Sequence, residues 1–435
     1  MKPKGLLIAT VLLALLGGLV WWSNKKQAAA SKAPADTSTK VLSIPDDQFQ
    51  EIRVKTLTDT TIDLKRDDGK WAMTQPKPLA ADQDAVASMV STLSSLNADK
   101  KVEDNAADLH EYGLDVPTLD VTVTKKDGKS SELLVGGPTL DSAGYYAKLA
   151  GDPHVYTIAS YAKTNIDKSP QDLRDKRLLT FDSDKLTRVE LQAKGQTVEF
   201  GKNGQNEWQI VKPRPLRADS SAVGSLVDKL RDAKLDVSEL PEDAAKKFAA
   251  APKLASATLT DAAGSQTIEI RKDKDNNYYA KSSAVEGVWK TSSDAGDALN
   301  KDIDDFRNKK LFDFGFNDPS KIELKGAAYV KTGDKWTSGP KTMDNGAVQD
   351  LIDKLRDLSA SKFSDKGGGE PVFEATITSN EGKRVEKVSI SKQGDQYFAK
   401  RESEPSIYEL DAKTVEDLQK AAAAVKEAAP EAKKK

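Results

Sequence analysis

Two histidines, His110 and His154, are the side chains of this chain best suited to proton transfer near neutral pH. His154 falls in a predicted turn, and the matching positions in two later copies of the same phrase are Gly287 and Ser406. A solvated turn residue is therefore expected there. His110 precedes Gly113 in a segment typical of a helix C-terminus, where a histidine favours the helix dipole. Neither histidine is assigned a catalytic role.

Acidic residues could instead work as acid–base pairs or bind a metal ion. Pairs such as Asp67–Asp68 and Asp304–Asp305 lie in polar surroundings, which give no reason for a raised pKa. The segment 273–277 begins like a calcium loop, but Tyr278 stands where such a loop requires glycine. The sequence therefore predicts no metal site and no cofactor.

Glycine-rich stretches, cysteine content and charge exclude further kinds of functional site. Neither 135–138 nor 366–370 has the spacing of a phosphate-binding loop, so both are predicted to be turns or linkers. The absence of cysteine excludes disulfides, thiol catalysis and zinc–thiolate sites. The net charge is −2 with both signs mixed along the chain, which disfavours nucleic acid as a partner. We predict that the protein is not an enzyme.

One phrase with two adjacent aromatic residues occurs three times. It reads YYAKLAGDPHVYTI from Tyr145, YYAKSSAVEGVWKT from Tyr278 and YFAKRESEPSIYEL from Tyr397. Aromatic residues on strands most often pack in a core or across neighbouring strands. The alternative is that one aromatic of each pair faces solvent and lines a groove across the repeats, as a stacking site for sugars. The candidate surface or core aromatics are Tyr145, Tyr146, Tyr278, Tyr279, Tyr397 and Phe398.

The phrase closes a longer repeated unit. Each copy has a tryptophan (Trp71, Trp208, Trp336), then an aspartate (Asp82, Asp219, Asp344), then apolar residues with the i, i+3, i+4, i+7 spacing of an amphipathic helix. Each aspartate lies where a helix N-cap is expected. Alternating segments with glycine turns on both sides predict antiparallel strands. The predicted fold class is α+β, with an N-terminal transmembrane helix followed by three tandem repeats of a small antiparallel sheet plus helices.

The N-terminus predicts a membrane anchor. The run from Gly5 to Trp22 is apolar and uncharged, and it would extend about 27 Å as a helix, close to the ~30 Å of a hydrocarbon core. A cleaved secretory signal is the alternative. We expect the body of the protein to lie outside the cytoplasm. The predicted segments are a cytoplasmic tail (1–4), the signal anchor (5–22), a flexible tether (23–40), three repeats (41–176, 177–310 and 311–420) and a low-complexity tail (421–435).

These motifs resemble those of a bacterial family, the domain of unknown function 4340. The resemblance rests on EYGLD at 111–115, on the YYAKL phrase and on LRDKRLL at 173–179, and it is clearest from about Ile44 to Leu235. The third repeat lacks EYGLD. Many members of that family are similar to an auxiliary component associated with ABC-type transport systems. The resemblance implies a single-pass protein of the bacterial inner membrane with a periplasmic body and a transporter subunit as partner, and it supplies no catalytic residues.

Two functions from different classes remain. The first is a non-catalytic, membrane-anchored extracytoplasmic scaffold or accessory subunit of an ABC-type transport or envelope assembly. The second is an envelope ligand- or glycan-binding protein that uses a cleft between repeats. The lack of a catalytic constellation in the sequence favours the first function. A concave row of outward-facing aromatics and carboxylates would favour the second.

Overall fold

Three nine-stranded antiparallel sheets dominate the computed structural model, which describes residues 39–106, 108–315 and 319–429. The first repeat has strands β1 (Lys40–Ser43), β2 (Phe49–Thr56), β3 (Thr61–Asp67), β4 (Lys70–Gln75), β5 (Leu79–Ala80), β6 (Ser95–Asn97), β7 (Lys100–Glu103), β8 (Leu119–Lys125), β9 (Ser130–Pro138), β10 (Gly144–Leu149) and β11 (Val155–Ala159). The second has β12 (Arg188–Ala193), β13 (Gln196–Lys202), β14 (Trp208–Lys212), β15 (Leu216–Arg217), β16 (Leu235–Asp236), β17 (Lys253–Asp261), β18 (Gly264–Lys272), β19 (Tyr278–Ser282) and β20 (Val288–Thr291). The third has β21 (Lys321–Leu324), β22 (Ala327–Thr332), β23 (Lys335–Ser338), β24 (Lys341–Thr342), β25 (Lys362–Ser364), β26 (Glu370–Ser379), β27 (Arg384–Gln393), β28 (Gln396–Arg401) and β29 (Ile407–Leu410).

Helices join and close the strands. The α-helices of the described residues are α1 (Gln83–Ser94), α2 (Ser160–Ile166), α3 (Pro170–Leu173), α4 (Ser220–Arg231), α5 (Pro241–Ala250), α6 (Ser293–Leu299), α7 (Asn345–Asp357) and α8 (Ala412–Ala424). Short 3-10 turns cover Asp46–Gln48, His110–Tyr112, Ile303–Asp305 and Asn380–Gly382.

The three large sheets share one topology. Numbered within each sheet by position along the chain, the strands lie in the order 4-3-2-1-6-7-8-9-5. The fifth strand therefore follows a helix in the sequence and lies at the opposite edge of the sheet from the fourth strand, beside the ninth strand. In the first repeat β1 and β6 pair separately as a two-stranded sheet. The repeated sequence thus encodes a repeated nine-strand unit.

The predicted helix caps are confirmed. The side chains of Asp82, Asp219 and Asp344 accept hydrogen bonds from backbone N–H groups in the first turns of α1, α4 and α7. These bonds satisfy donors that the helix itself leaves unpaired. The predicted apolar stripes are buried, with Val223, Leu226, Val227 and Leu230 in α4 and Val348, Leu351, Ile352 and Leu355 in α7. Each stripe packs into the hydrophobic core of its own repeat.

A junction segment links the second repeat to the third. Arg307 pairs with Ala218 of the second repeat, and three residues later Lys310 pairs with Ser359 of the third. Leu311 then enters the third core, completely buried. The segment 307–313, which we call the junction, therefore makes one β-bridge to each of two neighbouring repeats.

Contacts divide the chain into two compact units, one ending at Lys176 and the other beginning at Arg177. The first unit holds the first nine-stranded sheet and the β1–β6 pair. The second unit holds the other two large sheets together with the junction segment.

The predicted fold class was wrong. No helix in the part of the chain that the structure describes is long and apolar enough to cross a membrane, and the segment 5–22 lies outside the described residues. The sheets are also not small, because each contains nine strands. The prediction from the sequence did not include strands such as β5, β15 and β24, which have two residues each. Two residues are too few to show the alternation by which a strand is recognised.

Candidate functional site: the joint between repeats two and three

Arg217 is the central residue of the contact between the second and third repeats, which we call the joint. It belongs to β15 of the second repeat, and its side chain is 15% exposed. Its Nη2 donates to Oδ1 of Asp313 at 2.7 Å, and its Nη1 donates to Oε1 of Glu404 at 3.1 Å and to the hydroxyl oxygen of Tyr408 at 3.2 Å. Nη1 also lies 2.8 Å from the carbonyl oxygen of Lys310. One side chain of the second repeat thus contacts the junction and a strand of the third.

Arg401 of β28 extends these contacts within the third repeat. Its Nη2 donates to Oε1 of Glu386 at 2.8 Å, and its Nε lies 3.2 Å from Oε1 of Glu404. The Glu386 carboxylate also accepts the backbone N–H of Asp313 at 3.0 Å. Arg401 and Glu386 are each 7% exposed. A buried ion pair of the third repeat therefore binds the backbone of the junction at Asp313.

The charged side chains at the joint, which we call the joint cluster, contain equal numbers of positive and negative groups. The cluster consists of three arginines, Arg217, Arg384 and Arg401, and three carboxylates, Asp313, Glu386 and Glu404. A buried charge is tolerated when it is paired and hydrogen-bonded in this way. Such geometry fixes the relative position of the elements that carry the charges, because breaking any pair leaves a charge without a partner.

The pKa shifts in the joint cluster follow from burial and charge. Burial alone would lower the pKa of Arg217, but the negative charges of Asp313 and Glu404 outweigh it, so the pKa of Arg217 is raised. Burial also raises the pKa of Tyr408 far above its ordinary value of 10.0, and the neighbouring Glu404 carboxylate adds to the effect. Both groups therefore keep their neutral-pH protonation state over the whole physiological range. That behaviour suits a fixed structural contact.

Arg307 adds a second contact to the joint. Its guanidinium lies 3.4 Å from the centroid of the Phe363 ring, which is a close cation–π contact. Its Nη2 donates to Oγ of Ser406 at 3.0 Å, and its Nη1 donates to Asp304 at 2.9 Å. The side chain thus joins the end of the second repeat to β25 of the third repeat and to the residue that precedes β29.

The entry of the chain into the second repeat uses neutral groups at the matching positions. Gln266 stands where the third repeat has Glu386, and its Oε1 accepts the backbone N–H of Thr180 at 2.8 Å. Its Nε2 donates to the Thr180 hydroxyl at 3.1 Å. Ser282, at the position of Arg401, donates to the carbonyl oxygen of Leu178. The charges are therefore a special feature of the joint and not a requirement of the fold.

An open cleft of about 570 Å³ lies over the joint. Its lining includes Trp208 from the second repeat and Lys309, Lys310 and Arg384 from the junction and the third repeat. Both lysines are exposed. Arg384 points toward Glu207, with 3.9 Å between Nη2 and Oε1. Glu207, Asp219 and Asp313 line the cleft as well, so it offers hydrogen-bond donors and charges of both signs to a polar ligand.

The two histidines lie in the first repeat and not at the joint, whereas Asp304 of the predicted acid pair Asp304–Asp305 binds Arg307 there. Nδ1 of His110 lies 3.0 Å from Oδ2 of Asp115 in an exposed pair, and the hydrogen bond that this carboxylate accepts raises the pKa of His110. Nδ1 of His154 lies 2.5 Å from Oδ1 of Asp152 in a turn of the first repeat. Asp273 accepts backbone N–H groups of its own turn at 2.8 and 2.9 Å. Within 39–106, 108–315 and 319–429, no three histidine or acidic residues are grouped to hold a metal ion.

The recurring aromatics are distributed over both faces of their sheets. Tyr278 and Tyr397 belong to the main cores, at 6% and 7% exposure. Tyr279 is completely buried beneath α5, and Phe398 is 5% exposed. In the first repeat Tyr145 and Tyr146 are half-buried. Tyr145 packs against the core.

Sequence reasoning missed the joint cluster. The signal was present in the differences between repeats. Arg217 replaces Ala80 of the first repeat, Asp313 replaces Thr180, and Arg401 replaces Ser282. Charges that enter together at positions that are neutral in the other copies suggest pairing with each other.

Three copies of one nine-stranded unit, two of them joined by a paired charge cluster, define a sheet-rich tandem-repeat protein. The model of the family described as "Domain of unknown function (DUF4340)" matches residues 71–207 and 208–372, so the chain belongs to this family. Each match begins at the tryptophan of a third strand, Trp71 or Trp208. Comparisons with curated proteins and with solved structures gave no match.

Proposed function

We propose that this protein is a non-catalytic scaffold or accessory subunit that works through contacts with other proteins. The observation that carries the proposal is the joint, where Arg217 of the second repeat reaches three side chains of the junction and the third repeat within 3.2 Å. These contacts use the charges of the joint cluster to fix one repeat on the next. A fixed array of repeats presents an extended surface of constant shape, which is how repeat proteins bind their partners.

The family resemblance suggests the partner. We propose a subunit of an ABC-type transport or envelope assembly, with the repeats outside the cytoplasm. The proposal on location comes from the sequence and from the resemblance. Surface residues of unusual exposure, such as Val385 at 63% and Tyr161 at 67%, are available for contacts with another protein.

Photo-crosslinking tests this function. A photoreactive amino acid is placed at Tyr161, at Val385 or, as a buried control, at Leu226 in the full-length chain in its own cells. We expect a transport-system subunit to be captured from at least one exposed position and not from Leu226, which is 2% exposed. The proposal is wrong if no exposed position captures such a subunit.

A second candidate function, ligand binding, is supported by the cleft over the joint. Lys309 and Lys310 are exposed on one side of it, and Trp208 provides an aromatic edge. We propose a polar or anionic saccharide as the ligand class in that case. Titration of the full-length chain with a sulfated and a neutral oligosaccharide tests this function. It predicts saturable binding of the sulfated form that the double change Lys309→Ala and Lys310→Ala weakens, with Lys420→Ala as a matched exposed control.

A further inference from the structure

A second cleft, in the first repeat, lies where the recurring aromatic is least covered. It has a volume of about 420 Å³ and is lined by Val102 of β7, Leu140 of the β9–β10 turn and Tyr146 of β10. The Leu140 side chain is fully exposed, at 102% of its reference area. The Tyr146 ring meets Tyr112 edge-on, with 5.1 Å between ring centroids. Apolar side chains thus meet solvent in a concave surface, which is typical of a binding site.

In the second repeat a helix covers the aromatic residue that corresponds to Tyr146. Tyr279 stands at the position of Tyr146, and α5 lies over it. Ala244 and Phe248 of α5, four residues apart on one helix face, pack with Tyr279 and Val288 in a small apolar cluster. Tyr279 is completely buried as a result. A short helix with a small and an aromatic residue therefore fits this face of the repeat.

The third repeat covers the matching aromatic, Phe398, and leaves it 5% exposed. There a glycine segment lies close to the same face, and a Cβ built on Gly367 would be 2.6 Å from a methyl carbon of Ile407. In the first repeat the cover is the 3-10 turn His110–Tyr112 with the buried Leu114. This cover leaves Tyr146 half-buried, so part of the face stays open.

The charges around the open part favour a basic occupant. Two carboxylates, Asp99 and Asp141, and one lysine, Lys100, line the cleft, so negative charge is in excess there. The Thr139 hydroxyl donates to Oδ1 of Asp141 at 2.5 Å, and the Ala143 N–H donates to the same atom at 3.1 Å. The carboxylate is thus fixed in position. In the second repeat a lysine of the covering helix also pairs with a carboxylate of the repeat, since Nζ of Lys247 lies 2.6 Å from Oε1 of Glu239.

We propose that the cleft of the first repeat is a docking site for a short amphipathic helix of a partner protein. The helix presents a small residue and an aromatic residue four positions apart, together with a lysine or arginine directed at Asp99 and Asp141. Its aromatic ring packs on Tyr146 and Leu140, as Phe248 of α5 packs in the second repeat. This inference rests on the proposed scaffold function and names the class of segment that the scaffold recognises.

A labelled peptide with the sequence of residues 240–251, LPEDAAKKFAAA, is the probe, and fluorescence anisotropy with the full-length chain is the measurement. We expect saturable binding that Leu140→Ser or Asp141→Asn weakens by about tenfold or more. Tyr161→Ser is the matched control, because Tyr161 is 67% exposed but does not line the cleft. A peptide in which alanine replaces the residue corresponding to Phe248 should lose binding.

Leu140 is exposed, so its change should leave the melting temperature unaltered and keep the test independent of folding. The inference is overturned if the peptide shows no saturation up to about 1 mM, or if Leu140→Ser and Tyr161→Ser bind it equally. It is also overturned if a neutral oligosaccharide binds in its place and depends on Tyr146. The two proposals fail separately. If the peptide does not bind but the exposed positions still crosslink to a transport subunit, this inference is refuted and the scaffold function is retained.

Discussion

Arg217 of the second repeat and Asp313 of the junction form a paired contact, with 2.7 Å between Nη2 and each carboxylate oxygen. Both oxygens of Asp313 face the same guanidinium nitrogen. The other terminal nitrogen, Nη1, donates to Glu404 and Tyr408. Every charged group that Arg217 touches therefore belongs to the junction or the third repeat, and the pair connects the two repeats directly.

Removing Arg217 should destabilise the joint more than removing an exposed arginine. Arg217→Ala removes the nearest cation from the partly buried Asp313 and leaves Glu404 with Arg401 as its remaining cation, and breaking a buried pair in this way costs about 3–5 kcal/mol. Chemical denaturation followed by tryptophan fluorescence measures the loss. Arg214→Ala is the matched control, since Arg214 is exposed three residues earlier, and it should change stability by about 0.5 kcal/mol or less. Equal effects of the two changes would contradict the role of the joint cluster.

Alkaline pH should weaken the joint through Tyr408. Its pKa is raised in the folded protein, chiefly by burial, so its contribution to stability is complete below the ordinary tyrosine pKa of about 10. That contribution declines as pH rises above 10, because the unfolded chain then ionises more readily. The stability difference between the native chain and Tyr408→Phe should therefore shrink between about pH 9 and about pH 11.

Tyr161→Phe is the control for this pH dependence. Tyr161 is 67% exposed, so its removal should leave the pH profile of unfolding unchanged. Urea titrations at a series of pH values supply the comparison. A difference for Tyr408→Phe that stays constant across the range would mean that Tyr408 ionises freely in the folded protein.

The paired aromatics of the second repeat should both be structural. Tyr278 lies in the main core and Tyr279 beneath α5, so replacing either by alanine removes a buried ring and costs about 3–5 kcal/mol. Calorimetry of each variant beside Tyr161→Ala, which removes an exposed ring, provides the comparison. If neither core change lowers the melting temperature more than the control does, these aromatics contribute to binding and not to packing.

Two helical glycines give a matched test of the packing. A Cβ on Gly296 of α6 would lie 2.4 Å from the Tyr278 ring, whereas a Cβ on Gly224 of α4 has nothing within 4 Å. Gly296→Ala should therefore destabilise the protein by about 1–3 kcal/mol through overpacking. Gly224→Ala should stabilise it by about 0.5–1 kcal/mol, because alanine is the better helix former. Thermal melts of both variants measure the two changes in stability. If both changes have the same sign, α6 does not pack on Tyr278 in this way.

The sequence allowed the repeats and their helices to be predicted because their signals are local. A tryptophan, an N-cap aspartate such as Asp219 and the stripe that begins at Val223 lie within sixteen residues of one another. Strand order could not be predicted, because the fifth strand pairs with the ninth, more than forty residues further along the chain, as Leu235 does with Thr291. Two-residue strands carry no periodic pattern.

The joint cluster was missed for a related reason. Arg217 and Glu404 are 187 residues apart, and each by itself is typical of a solvated surface position. The predicted aromatic phrase was informative because it recurs, but the sequence did not indicate that a different segment covers its outer face in each repeat. Tyr279 lies under a helix and Tyr146 meets a 3-10 turn. Those covers differ in sequence and length, so alignment of the repeats does not reveal them.

Native-state hydrogen exchange tests most directly whether the joint makes the second and third repeats one mechanical body. The slowest amides of β17 and β18 report on the second repeat, and those of β26 and β27 report on the third. The account predicts that the two groups open with free energies within about 1 kcal/mol of each other, as parts of one cooperative unit do. In Arg217→Ala the two values should separate. Two groups that already open independently in the native chain, and that do not respond to the loss of Arg217, would contradict a scaffold built on this joint.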